Sequence, residues 1–223
     1  MEYTAFSLRK GKGRFFRSIS EMKRAKTKPY MKWILASASP RRRELLAELI
    51  DEFEVIPSLA DENLEGDFTP ETLVKALAEL KAKEVALRPE NAGKAVIGSD
   101  TVVAFDGEVL GKPKDAADAF RMLKLLSGKA HAVYTGVCIA RMDIDGYHAR
   151  VCAEKTDVYF EELSDEWIQE YIRGGSPMDK AGAYGIQDGG LVKKIEGSYT
   201  NVVGFPVEIA QEMIKDIMGG NDD

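Results

Sequence analysis

The chain has 223 residues, enough for one large domain or two small lobes. Its 44% hydrophobic and 30% charged residues suit a core under a charged surface, and no apolar run nears the roughly 20 residues that a membrane-spanning helix needs. The net charge of −6 joins two unlike parts, nine Lys/Arg against two Glu in residues 1–30 and 22 basic against 35 acidic residues in 31–223, so the acidic body argues against general nucleic-acid binding and any anionic substrate must meet a local basic cluster.

The basic stretch 1–30 is open to three readings: an organelle transit segment, a nucleic-acid tail, or an extension from an upstream start codon. The third is favoured because Met31 directly precedes the first convincing strand. The expected organisation is therefore an extension over 1–30, disordered or not native, and one folded domain over 31–223. Cys138 and Cys152 fit no metal-ligand spacing and lie in expected strands. Buried thiols and the lack of a secretory apolar segment lead us to expect a cytoplasmic protein.

Strands and helices then alternate, as in an α/β protein. Lys32–Ala36 is a short apolar strand. Ser39 is an N-cap, Pro40 suits the first helical position, and Leu45, Leu46 and Leu49 form an apolar stripe. Free backbone N–H groups at such a helix start bind anions, and Ser37 and Ser39 add hydroxyl donors. Arg41 and Arg42 place positive charge at the positive end of the helix dipole, which costs up to about 1 kcal/mol unless an anion neutralises it. The segment is thus either a phosphate site or an ordinary capped helix with exposed arginines.

Phe53–Pro57 reads as a strand and Asp61–Asp67 as an acidic loop containing Glu62. Thr69-Pro70 opens a long helix whose expected buried face is Leu73, Ala76, Leu77 and Leu80; Lys81 on it is by default solvated. Ala95–Phe105 is a strand interrupted by Asp100, a carboxylate too costly to bury unpaired; it faces a cleft or a cation, or else hydrogen-bonds a turn, and the cleft is favoured. Asp106-Gly107 signals a hairpin, able to fold Lys112 back toward Asp100. Asp115 caps a helix through Leu126. Two long strands follow, about Ala130–Arg141 and Tyr147–Phe160, then a helix from Ser164 to Gly174-Gly175. In Asp179–Gln187 the glycines permit close backbone approach, Tyr184 can stack on a base, Gln187 offers donors and an acceptor, and Asp179 and Lys180 can pair. A short strand, Gly197 and a last helix after Pro206 complete the chain, with a frayed tail at Gly219–Asp223.

Other chemistries lack their residues. No G-x-x-x-x-G-K-[ST] and no G-x-G-x-x-G after a strand is present, and His131 and His148 are the sole histidines, too few for a histidine-rich metal site.

Six segments in order resemble the Maf family of nucleotide pyrophosphatases: Ser37-Ala38-Ser39-Pro40-Arg41-Arg42, Gly98-Ser99-Asp100-Thr101-Val102-Val103, Gly111-Lys112-Pro113, Ser127-Gly128-Lys129-Ala130-His131, Lys180–Gln187, and Gly197-Ser198-Tyr199 leading to Val203-Gly204-Phe205-Pro206. The resemblance implies a two-lobed mixed-sheet fold, similar to that of the inosine triphosphate pyrophosphatases, around a deep central cleft and often homodimeric. It implies hydrolysis of a nucleoside triphosphate to monophosphate and pyrophosphate with a divalent cation, Mg²⁺ or Mn²⁺. Asp100 matches the family's proton acceptor, and Ser37, Arg42, Glu62, Lys81 and Lys112 match its other polar cleft residues. Asp100 and Glu62 are the expected metal ligands. Arg41, Thr101 and Gln187 match the branch that takes dTTP and UTP; the branch for 7-methyl-GTP carries Trp, Gln and Glu there. A Trp face attracts a cationic base, whereas a Gln amide pairs with the imide face of thymine or uracil. Two alternatives stay open, a pyrophosphatase for non-standard purines such as ITP or XTP and a nucleic-acid-binding regulator of septum formation. No membrane or nucleic-acid partner is expected.

Overall fold

The computed structural model describes residues 31–219; the expectations for the basic stretch 1–30 and for the tail beyond Gly219 fall outside the described residues. One mixed sheet of seven strands organises the molecule, in the order β2-β1-β3-β5-β6-β7, with β4 on the side of β3 away from β5. The strands are β1 (Trp33–Leu35), β2 (Glu54–Val55), β3 (Ala95–Phe105), β4 (Glu108–Leu110), β5 (Ala130–Asp143), β6 (Gly146–Phe160) and β7 (Val192–Glu196). The helices are α1 (Pro40–Ala47), α2 (Pro70–Ala86), α3 (Ala116–Leu126), α4 (Asp165–Arg173), α5 (Tyr199–Val203) and α6 (Val207–Gly219). Four helix starts follow the cap signals in the sequence: Ser39, Thr69, Asp115 and Ser164 each accept a backbone N–H from the first turn of their helix. The expected strand 53–57 shortens to two exposed residues at the sheet edge.

The sheet positions the cleft. One edge of β3 pairs with β5 from Val96 to Ala104. The other edge is shared: β1 runs parallel to it at Ala95–Ile97, and β4 runs antiparallel at Val103–Phe105. Residues 98–102 therefore lie opposite a gap between two neighbouring strands, and a sheet split in this way leaves a crevice. On the β1 side, Leu46, Leu49, Phe205 and Ile214 form one core; on the β4 side, Leu123, Leu126, Phe160 and Ile168 form another. This is the mixed-sheet α/β architecture expected from the sequence, with its two lobes on either side of the gap.

The buried face of α2 differs from the expected one. Val74, Ala78, Ala82 and Val85 are buried, whereas Leu73, Ala76 and Leu80 are only partly covered. The cause is glycine on the sheet. A Cβ at Gly136 would stand 2.2 Å from the Val74 carbonyl oxygen, and one at Gly98 would stand 2.2 Å from that of Ala78. Backbone lies on backbone there, so small residues face the sheet. The adjoining i, i+4 row, Leu73, Leu77 and Lys81, turns toward the cleft. Cys138 is buried and Cys152 half-buried on neighbouring strands; both are free thiols.

Candidate active site

A cleft of about 510 Å³ opens at the β3 gap. Its lining includes Arg41, Arg42, Glu62, Lys81, Asp100, Thr101, Lys112 and Gln187, eight of the nine residues singled out in the sequence. The ninth, Ser37, is buried just behind it and accepts from Ser39 N at 3.2 Å and from Arg42 Nη1 at 3.3 Å.

Lys81 is the largest departure from expectation. It is not solvated but 9% exposed, with Nζ 2.5 Å from Asp100 Oδ1 and 2.9 Å from Glu62 Oε2. The pairing resolves the cost of Asp100, which is itself 9% exposed in the middle of an apolar strand. Glu62 is more exposed and comes from the acidic loop, so the trio joins a fixed strand and helix to a surface segment.

Arg42 leaves the first turn of α1 and is held at three points. Nε donates to the Gly204 carbonyl at 2.9 Å, Nη1 to Ser37, and Nη2 to Thr101 Oγ1 at 3.2 Å. None of these acceptors is charged. Burial lowers the Arg42 pKa; Asp100 opposes that shift, Arg41 adds to it and Glu62 opposes it. A guanidinium keeps its proton regardless, so an unneutralised cation with two uncommitted N–H groups faces the cleft. Lys112 likewise makes no ion pair among the described residues, and its turn is fixed by the Gly182 N–H donating to the Gly111 carbonyl at 3.0 Å. Arg41 is engaged differently, 3.0 Å from Asp179, which also pairs with Lys180 at 2.9 Å.

The glycine-rich segment forms a series of short 3-10 turns that bring the exposed Gln187 to the cleft rim. Gly182 adopts φ +67° with Val103 so close that a Cβ would lie 2.8 Å from its methyl group, which demands glycine. Tyr184, which the sequence offers for stacking on a base, belongs to the cleft lining with its ring largely buried. Its ring is 5% exposed, packs edge-on against Phe160 and His131, and its hydroxyl lies 2.8 Å from His131 Nε2. Burial pushes His131 down to about 4, so this link is uncharged at neutral pH. The aromatic residue is an anchor for the loop.

Among the described residues, one group of three metal-ligand side chains converges, Asp143, Asp145 and His148. It sits at the exposed β5–β6 turn outside the cleft lining, where Arg141 already engages Asp143. The expected pair Asp100 and Glu62 is a separate arrangement, two carboxylates around one ammonium.

Sequence reasoning passed over the layer behind the site. Gly204 accepts from both Arg42 Nε and, at 3.3 Å, Ser99 Oγ. Thr135 and Asn201, both fully buried, stand behind Thr101. The only available signal was Val203-Gly204-Phe205-Pro206, which carries no side chain of obvious chemistry.

The family described as Maf-like protein matches residues 32–217. The dTTP/UTP pyrophosphatase of Thermococcus gammatolerans is 55% identical over 180 residues, covering 79% of this chain and 91% of that one. That of Geotalea uraniireducens is 52% identical over 176 residues, covering 78% and 89%. That of Caldicellulosiruptor bescii is 47% identical over 197 residues, covering 84% and 97%. Among solved structures, the Staphylococcus aureus Ham1 protein aligns with a TM-score of 0.49 at 14% identity, over 83% of this chain and 99% of that one. With five of the six motifs contributing residues to one cleft and a family match over nearly all the described residues, this chain belongs to the Maf family.

Proposed function

We propose that the chain hydrolyses dTTP and UTP between the α and β phosphates, giving the nucleoside monophosphate and pyrophosphate. One observation carries the chemistry: a buried carboxylate, Asp100, held by Lys81 at the floor of a cleft whose uncommitted cations are Arg42 and Lys112. Phosphoryl cleavage by water requires a group to orient and deprotonate the nucleophile and charges to neutralise the phosphates. Asp100 supplies the first. The start of α1, with Ser39 and Arg42, and Lys112 in the same cleft lining supply the second. Substrate choice is supported by Arg41, Thr101 and Gln187 all lining that cleft, and by relatives named for dTTP and UTP.

The residues fit a divalent cation. Two carboxylates converging within 3 Å of one Nζ, beside space for a triphosphate, are the donor set that Mg²⁺ uses, one or two carboxylates plus substrate oxygens. Asp100 and Glu62 would hold it, and when bound it would supply charge neutralisation and a lowered pKa for bound water. Lys81 Nζ lies between the two carboxylates here.

A panel of nucleotides assayed for pyrophosphate release with Mg²⁺ or Mn²⁺ tests the reading. dTTP and UTP should lead, and a preference for ITP or XTP would transfer the chain to the non-standard purine reading. Asp100→Asn should lower turnover by at least about 10²-fold while the protein still folds; full activity in that variant removes Asp100 from the chemistry.

A further inference from the structure

Behind the cleft runs a chain of hydrogen bonds whose direction can be read from atom types alone. Thr135 Oγ1 lies 2.9 Å from the Asn201 carbonyl oxygen, which can only accept, so the single hydroxyl hydrogen of Thr135 is spent there. Thr135 Oγ1 also lies 3.0 Å from Thr101 Oγ1. With its own hydrogen committed, Thr135 must accept in that contact, and Thr101 must donate. Thr101 Oγ1 then turns its lone pairs to the cleft side, where Arg42 Nη2 donates to it at 3.2 Å. The order is Arg42 to Thr101 to Thr135 to the Asn201 carbonyl, with no ambiguity at any link.

Asn201 is itself immobilised. It is fully buried, and its Nδ2 donates to the Val133 carbonyl at 3.1 Å and to Thr156 Oγ1 at 2.9 Å. The same short helix ends at Gly204, whose carbonyl holds Arg42 Nε. One rigid element thus fixes the guanidinium twice, directly through Gly204 and indirectly through Thr135 and Thr101.

We infer that Thr135, which does not line the cleft, is a positioning residue for substrate binding: it sets the Thr101 hydroxyl as an acceptor and so holds the Arg42 fork toward the phosphates. The inference rests on the proposed dTTP/UTP reading, and it adds a consequence for specificity. Thr101 has no hydrogen left to donate, so a substrate group meeting it must be a donor, as the imide N–H of thymine or uracil is.

The test is a double-mutant cycle of Thr135→Val and Thr101→Val, assayed for pyrophosphate release from dTTP, with thermal unfolding of each variant. Thr135→Val should raise KM about tenfold and leave kcat within about twofold, the loss of one positioning hydrogen bond. Thr135→Ser keeps the hydroxyl and should restore KM. In the Thr101→Val background, Thr135→Val should change kcat/KM by less than about twofold, because its route to Arg42 is already cut. Additive losses, a fall in kcat at constant KM, or failure of Thr135→Ser to restore binding overturns the proposal. If Thr135→Val does not fold, Thr135→Ala replaces it in the cycle; failure of both to fold makes Thr135 a residue of the fold alone and equally overturns it. Absence of dTTP hydrolysis by the unaltered protein would instead reject the functional reading, which separates the two failures.

Discussion

Two carboxylates reach the Lys81 ammonium, and they are unequal. Asp100 is nearly buried, whereas the Glu62 side chain is 55% exposed. Removing the lysine therefore strands Asp100, while removing Asp100 leaves Lys81 still paired with Glu62. Lys81→Met should cost about 2–3 kcal/mol of stability, below the full range for a deeply buried pair because the site borders the cleft. Asp100→Asn should cost under about 1 kcal/mol, and adding it to Lys81→Met should recover most of the loss. Denaturant unfolding of the three variants decides this; an unchanged Lys81→Met midpoint would mean that Asp100 is held by other groups. At the rim, Gln187→Glu exchanges an amide for a carboxylate that cannot donate to a pyrimidine carbonyl. We expect kcat/KM for dTTP to fall by about tenfold or more, and unchanged kinetics would take Gln187 out of base recognition. These residues were legible in the sequence as types: an interrupting Asp, paired Arg, a Gln among glycines. Their states were not, since the burial of Lys81 depends on how closely its helix sits on the sheet.

At the scale of elements, that closeness belongs to α2 and two glycines. A methyl at Gly98 or Gly136 would strike main-chain carbonyls of α2 at 2.2 Å, where no flexible side chain can give way. Gly98→Ala should destabilise by about 3 kcal/mol or more and push α2 outward. The same step should reduce activity beyond the loss of folded protein, because Lys81 rides on that helix. Activity per folded molecule, measured against the circular-dichroism midpoint, checks it: an unaltered ratio would show that α2 can shift without moving Lys81 from Asp100. Helix caps and strand patterns were readable because they depend on nearest neighbours. The buried face of α2 was misread because leucine periodicity points to a core by default, whereas here Leu73 and Leu77 wall the cleft and Ala78 and Ala82 face the sheet. The short α5 went unseen for a similar reason, since five residues carry too little periodicity to register.

For the whole molecule, pH exposes groups that folding has displaced. Burial and the nearby Glu208 raise Glu154 from 4.5 to about 7, and its buried Oε2 has no hydrogen-bond partner. Between those values the folded chain holds a proton that the unfolded chain has released, so this group's contribution falls as pH rises. Glu154→Gln should therefore gain on the unaltered protein above pH 7 by about 1 kcal/mol, discounted for its partial exposure, and gain little near pH 4.5. A difference constant across that range would contradict the assignment. His131 acts oppositely: its fall from 6.5 to about 4 means that stability from this group rises with pH over that window.

Local sequence determined much of this protein by itself. Cap residues, alternating strands and the order of six short motifs suffice for an α/β chain of this family, because each depends on neighbours a few residues apart. Tertiary structure alone decided which groups are charged, paired or free. The gap opposite residues 98–102 arises from β1 and β4 sharing one edge of β3, strands separated by more than seventy residues. The order of donors from Arg42 to Asn201 spans α1, β3, β5 and α5. Neither follows from any local pattern, since hydrogen-bond direction and burial are settled only when distant backbone groups become fixed partners.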